Sequence, residues 1–175
     1  MDRDTKPERM LGALLRIPFQ AVTARVAADL AASGFADLRP AHLSVFQHLD
    51  PTGSRLTDLA ARAQVTKQSM GALVDDLERW GYVERVADAT DGRVRLIRRT
   101  ERGWAVERAA RASIRAFEEE WGRRIGPERM RQFRGVLEEF AAALDAEAAR
   151  ADPRVAATPG RRHAAAPPGV SRPPR

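Results

Sequence analysis

Between Leu56 and Gly103 the apolar spacing switches from helical to strand period, and this switch restricts the fold more than any other feature. Leu56, Leu59, Ala60 and Ala63 share one helical face, with Thr57 placed to cap the opening turn. Gln64-Val65 interrupts the pattern, and Thr66 predicts a second N-cap. Met70, Leu73, Val74 and Leu77 then run i, i+3, i+4, i+7, an inward stripe. Gly81 stands where a helix ends in a left-handed residue. Tyr82–Val86 and Arg93–Arg99 read as paired strands. Ala87–Gly92 between them is too long for a two-residue turn, so the hairpin has a projecting tip. Helix, turn, helix and hairpin in that order predict a winged helix-turn-helix, a fold suited to duplex DNA.

The chemistry of such a fold sits at the start of its second helix. Lys67, Gln68 and Ser69 fill that first turn, and Lys67 is one of only two lysines in the chain. Lys reaches guanine or phosphate, and Gln pairs with the edge of adenine. The free N–H groups at a helix start favour phosphate as well. The plainer reading is an ordinary polar first turn. Gly71, inside the helix, costs roughly 1 kcal/mol against Ala, which points to close packing on the preceding helix or, less directly, to close approach of DNA.

The hairpin region carries six arginines (85, 93, 95, 98, 99 and 102) against Asp88, Asp91 and Glu101. Arg93, at the tip, is placed for the minor groove, with Asp91 expected to steady it through a charge-assisted hydrogen bond. Arg98 and Arg99 read instead as charges on a solvated edge strand.

These residues resemble the multiple-antibiotic-resistance regulator (MarR) family. The likeness is carried by Leu56-Thr57-Asp58-Leu59-Ala60, Thr66-Lys67-Gln68-Ser69-Met70, Leu73-Val74-Asp75-Asp76-Leu77-Glu78 and Gly81-Tyr82-Val83-Glu84-Arg85. Its most specific part is Asp91-Gly92-Arg93 followed by Thr100-Glu101-Arg102-Gly103. The resemblance implies a dimeric winged-helix regulator, in most members a repressor, many released from DNA by small aromatic acids or by oxidants. Carried over by position, it implies that Lys67, Gln68 and Ser69 face the groove and that Asp91 and Arg93 form the wing pair; with the cap Thr66 and the hairpin's Arg95 these are the expected DNA-binding residues. Four positions depart from the family pattern. Ala72 replaces a common DNA-touching Arg, Gln64 a turn Gly, Arg99 an apolar residue, and Trp80 a charged one.

The flanks supply what a dimer needs. Leu11, Leu14, Leu15, Val22, Val26 and Leu30 recur at helical spacing up to Ser33-Gly34, with Pro7 suited to the first turn and Pro18 expected to kink or divide the helix. Pro40 opens another helix, with Leu43, Phe46 and Leu49 inward. Thr100 caps a long helix whose inner face is Val106, Ala110, Ile114 or Ser113, Phe117, Trp121 and Ile125. After Gly126-Pro127, the series Met130, Phe133, Leu137, Phe140, Leu144 steps by 3, 4, 3, 4, a heptad seam. Leu11 and Leu14 with Phe133, Leu137, Phe140 and Leu144 are therefore the expected dimer contacts. A dimer sets two recognition helices about 34 Å apart, which predicts a near-palindromic operator in double-stranded DNA.

The expected organisation is mainly α with a small β-hairpin wing. A winged-helix domain spans 1–150, with a DNA-binding lobe at about 38–100 and dimerisation helices at about 7–34 and 101–149. A disordered tail at 151–175 holds six Pro and five Arg.

The chain has no cysteine, which removes disulfides and thiol redox sensing. No apolar run suits a bilayer, and the charged start lacks a signal-peptide pattern, so a cytoplasmic address is expected. No phosphate loop, nucleophile or triad pattern supports an enzyme, and no cofactor is expected. His42 and His48 lack the spacing and company of metal ligands. Trp104, Trp121, Phe19 and His42 are candidates for a ligand crevice but read more readily as core. Ala72 motivates the alternative reading, a dimeric winged-helix scaffold that binds protein and has lost specific DNA reading.

Overall fold

In the computed structural model, residues 8–89 and 91–151 are described. Residues 1–7, with Pro7, and the Pro/Arg-rich tail from 152 lie outside them. The elements run α1 (Leu11–Ala32), α2 (Pro40–His48), β1 (Ser54–Arg55), α3 (Leu56–Arg62), α4 (Lys67–Arg79), β2 (Val83–Ala87), β3 (Arg95–Arg99), α5 (Glu101–Ile125) and α6 (Pro127–Ala151). The winged helix-turn-helix fold is the one predicted. Residues up to Val136 form one compact unit, and those from Leu137 form a second, which is described by itself.

One core serves every element from α1 to α5 except the two-residue β1. Val26 and Leu30 of α1 join Leu43, Val45, Phe46 and Leu49, then Leu59 and Ala60, then Met70, Val74 and Leu77. Tyr82, Val83, Ile97 and Val106 complete it. The recognition-helix stripe is thus buried as its spacing requires, with Leu73 packed at its margin. Pro18 does not divide α1, which is one helix across it. The carbonyl it leaves without a donor is that of Leu14, and Leu14 is exposed, so water can serve it.

The sheet has one strand more than the sequence suggested. Two-residue β1 pairs antiparallel with β3, Ser54 opposite Ile97 and Arg55 opposite Leu96. β2 pairs with the other edge of β3, from Val83 opposite Arg99 to Ala87 opposite Arg95. The order is β1-β3-β2, so β3 is central and not the edge strand expected. It also begins at Arg95, two residues later than predicted.

The joins obey local chemistry. After α4, the Tyr82 N–H donates to Leu77 O (2.8 Å) and the Gly81 N–H to Glu78 O (3.0 Å), with Gly81 at φ +73°. This closes the helix as Gly81 predicted. Thr100 caps α5, its Oγ1 accepting from the Gly103 N–H at 3.2 Å. On α5, Ser113 and not Ile114 turns inward. The Ser113 hydroxyl donates to Asp29 Oδ2 of α1 at 2.6 Å. That bond, with help from Arg25, holds the Asp29 carboxyl below its ordinary pKa. Ile114, Trp121 and Ile125, expected inward, are exposed.

Gly103 is the tightest point between the wing and α5. A Cβ there would lie 2.2 Å from Tyr82 O, a backbone atom that already accepts from the Thr100 N–H. Neither side can yield. Gly103→Ala is expected to cost about 3 kcal/mol and to lower Tm by roughly 10 °C, read by thermal circular dichroism.

Candidate nucleic-acid interface

The helix-turn-helix is built around a strained turn. α3 starts at Leu56 with Arg55 in the N-cap position and no side-chain cap. Thr57 is therefore inside the first turn, and its hydroxyl donates to Asp58 Oδ1 at 3.2 Å. The capping role expected of it is not realised, because the helix begins one residue before it. At the other end, the Gln64 N–H donates to Ala61 O and the Val65 N–H to Ala60 O. This closing motif puts Gln64 at φ +54°, the only non-glycine with positive φ among the described residues. A side chain in that conformation costs about 1 kcal/mol that Gly would not.

Thr66 then caps α4 as predicted. Its Oγ1 accepts from the Ser69 N–H at 3.1 Å and lies 2.8 Å from Ser69 Oγ. Thr66, Lys67, Gln68 and Ser69 are all exposed. Thr66 and Ser69 hold one another, whereas no described side chain pairs with Lys67 or Gln68. Gly71, one turn on, is not required by packing. A Cβ there would meet only Leu56 Cδ2, at 3.9 Å. The expectation that packing demands Gly71 is thus corrected, since Ala would fit.

The wing tip is a hydrogen-bonded loop. The Asp88 N–H donates to Val94 O at 3.0 Å, and the Val94 N–H to Asp91 O at 2.9 Å. Asp91 Oδ1 accepts from the backbone N–H of Arg93 at 3.0 Å. Asp91 therefore shapes the turn through the backbone, not through the guanidinium as expected. The Arg93 side chain is left exposed.

The six arginines of the hairpin region divide into two groups, a division composition could not reveal. Arg85 is spent on α4: its Nη2 lies 2.6 Å from Asp75 Oδ1 and its Nη1 pairs with Glu78. Arg102 stacks over the Tyr82 ring at 4.3 Å, donates to Trp80 O and Tyr82 Oη, and faces Asp37 at 3.5 Å. Arg99 is buried, contrary to the solvated reading. Its Nη2 donates to Phe46 O (2.7 Å), its Nη1 to Asp50 O (3.2 Å), and its Nε lies 2.8 Å from Glu107 Oε2. Burial pulls its pKa down, with Glu107 opposing. Arg93, Arg95 and Arg98 remain exposed, and no described acid pairs with them. Exposed Arg55, on the neighbouring β1, joins them, and its position was not legible without that strand.

His42 is wholly buried. Its Nδ1 accepts from the Arg39 N–H at 3.0 Å, its Nε2 lies 3.5 Å from Asp76 Oδ2, and its ring meets Trp80 edge-on at 5.0 Å. Trp80, where the resemblance leads to a charged residue being expected, covers this histidine. Burial, then the Arg39 charge, push the His42 pKa below 6.5, against Asp76. The fold therefore refuses a proton that the unfolded chain takes up below about pH 6.5. Unfolded chains then bind more protons, so stability falls as pH drops through that value. Thermal melts at pH 7.5 and 5.5 should show a drop in Tm that is smaller in His42→Gln.

Among the described residues no group of His, Asp or Glu is placed to hold a metal. The four crevice candidates do not form one cluster. His42 packs on Trp80, Trp104 lies under Arg99 at 4.9 Å, Trp121 meets Phe117 at 5.9 Å, and Phe19 is exposed.

Residues 36–94, the span from before α2 to the wing tip, match the model of the MarR family. Among solved structures, a MarR-family protein of Mycobacterium tuberculosis in complex with p-aminosalicylic acid is 28% identical, with a TM-score of 0.58, covering 75% of this chain and 98% of that one. CouR of Rhodococcus jostii RHA1, bound to p-coumaroyl-CoA, is 26% identical, with a TM-score of 0.59 and coverage of 79% and 95%. A MarR-family transcriptional regulator of Rhodococcus sp. RHA1 is 26% identical, with a TM-score of 0.56 and coverage of 76% and 97%. No curated protein sequence matches the chain.

Proposed function

We propose that this chain, similar over residues 36–94 to the MarR family of transcriptional regulators, is a homodimeric, sequence-specific repressor that occludes a near-palindromic operator in cytoplasmic DNA. The observation that carries this reading is the pairing of two exposed cationic features on one lobe. Lys67 and Gln68 stand without partners at the capped start of α4, and Arg93 and Arg95 stand without acids on the wing. In this reading Lys67 and Gln68 enter the major groove, with Thr66 and Ser69 at its phosphate wall. Arg93 and Arg95 follow the adjacent minor groove, and Asp91 sets the tip that presents them. The lobe is residues 38–100. The helices before and after it make the dimer through Leu11, Leu14, Phe133, Leu137, Phe140 and Leu144.

A small aromatic effector fits the two relatives whose structures hold p-aminosalicylic acid and p-coumaroyl-CoA. It would release the operator by binding better to a dimer with the wrong lobe spacing. Lys67→Ala and Arg93→Ala should each weaken operator binding by about 1–3 kcal/mol, roughly 5- to 150-fold, in gel-shift titrations across salt. Ala72, exposed and without a donor, supports the alternative of a protein-binding scaffold. That alternative wins if neither substitution alters binding to any genomic fragment.

A further inference from the structure

Two residues beside the start of α4 work against the stability of the fold. Gln64 occupies a left-handed position that Gly would take without strain. Gly71 occupies a helix interior where Ala would fit, its Cβ meeting nothing nearer than Leu56 Cδ2 at 3.9 Å. Gly53 and Gly81 of the lobe are left-handed, and Gly103 of α5 faces a carbonyl that excludes any side chain. Gly92, at the wing tip, shares the freedom of Gly71, since a Cβ there meets nothing within 4 Å. Gln64 and Gly71 lie seven residues apart and bracket Lys67 and Gln68, the exposed groups without described partners. Local choices that contradict the fold are expected where a surface serves something outside it.

Resting on the DNA reading above, we propose that Gln64 and Gly71 are DNA-contacting residues. The exposed Gln64 carboxamide donates to a phosphate oxygen at the edge of the major groove. Bare Gly71 lets the groove wall come closer to the α4 backbone than any side chain would allow. Each therefore exchanges fold stability for fit to the duplex.

The test separates stability from binding. Melting temperature, affinity for a selected operator fragment and affinity for an unrelated duplex are measured for Gln64→Gly, Gly71→Ala and Lys67→Ala. Gly135→Ala, the same exchange on α6 where a Cβ meets nothing within 4 Å, serves as control. Gln64→Gly and Gly71→Ala should each raise Tm by about 3 °C and each lower operator affinity about ten-fold. Gly135→Ala should raise Tm alike and leave affinity unchanged. Retention of operator affinity by both lobe variants overturns the proposal, as does a fall in Tm or a loss of binding in the control. If Lys67→Ala weakens binding and these two do not, only this proposal fails. If the wild-type protein selects no fragment at all, the DNA reading fails and takes this proposal with it.

Discussion

Arg99→Leu should destabilise the protein by about 3–5 kcal/mol, the loss expected when one member of a buried ion pair is removed. The arginine joins three elements from the centre of the sheet. It satisfies two carbonyls, of Phe46 at 2.7 Å and Asp50 at 3.2 Å, that close α2 and the turn after it. It meets Glu107 of α5 at 2.8 Å, and its guanidinium lies over Trp104. Leucine fills much of the volume but leaves both carbonyls without this donor and the Glu107 carboxylate with only Arg111, at 2.7 Å. Arg99→Lys should lose nearly as much, because one ammonium cannot span two carbonyls and a carboxylate as a planar fork does. Arg99→Leu combined with Glu107→Leu should recover part of the loss, since the stranded charge goes with its partner. Urea unfolding of the set reads these differences. A loss under about 1 kcal/mol for Arg99→Leu would make the pair no more than a surface contact.

Arg99 also shows where the sequence was legible and where it was not. The helix-turn-helix could be read because its apolar spacing is local: Met70, Val74 and Leu77 are buried in the order their period dictates. Thr66, Thr100 and Gly81 end their helices as their chemistry requires. The period-2 rule also held, and it was under-used. Ile97 faces the core, so Arg99, two residues on, must face it too, just as Arg85 follows Val83. At Arg99 charge alone argued for solvent, and alternation argued against it.

Other features had no local signal. β1 is two residues long, too short to show any pattern, yet it makes β3 central and brings Arg55 beside the wing. β3 starts late because the Asp91 side chain takes the Arg93 N–H into a turn. Which arginines are free for a polyanion depends on long-range partners. Arg85 and Arg95 look alike in the sequence, but only Arg85 finds Asp75 and Glu78. The candidate interface was therefore readable at α4, where helix geometry fixes orientation, and only half readable on the wing.

Phe140→Ser with Leu144→Ser should lower operator affinity by about 10²- to 10⁴-fold while leaving the lobe folded. Phe133, Phe140 and Leu144 keep 42–49% of their surface exposed, and Leu11 and Leu14 of α1 keep 62% and 50%. Large apolar side chains repeated at heptad spacing and left open to water call for a covering surface of the same kind. In the proposed dimer a second copy supplies it. The loss arises without any change at Lys67 or Arg93. A single lobe binds one half-site, and a linked pair converts the second binding event into an intramolecular one. Severing the link removes that gain and leaves each half-site contact as it was. Sedimentation should show the variant as a monomer whose residual DNA binding no longer depends on half-site spacing. A variant that stays dimeric, or a monomer that binds the full operator as the parent does, would place the dimer contact, or the source of affinity, elsewhere in the chain.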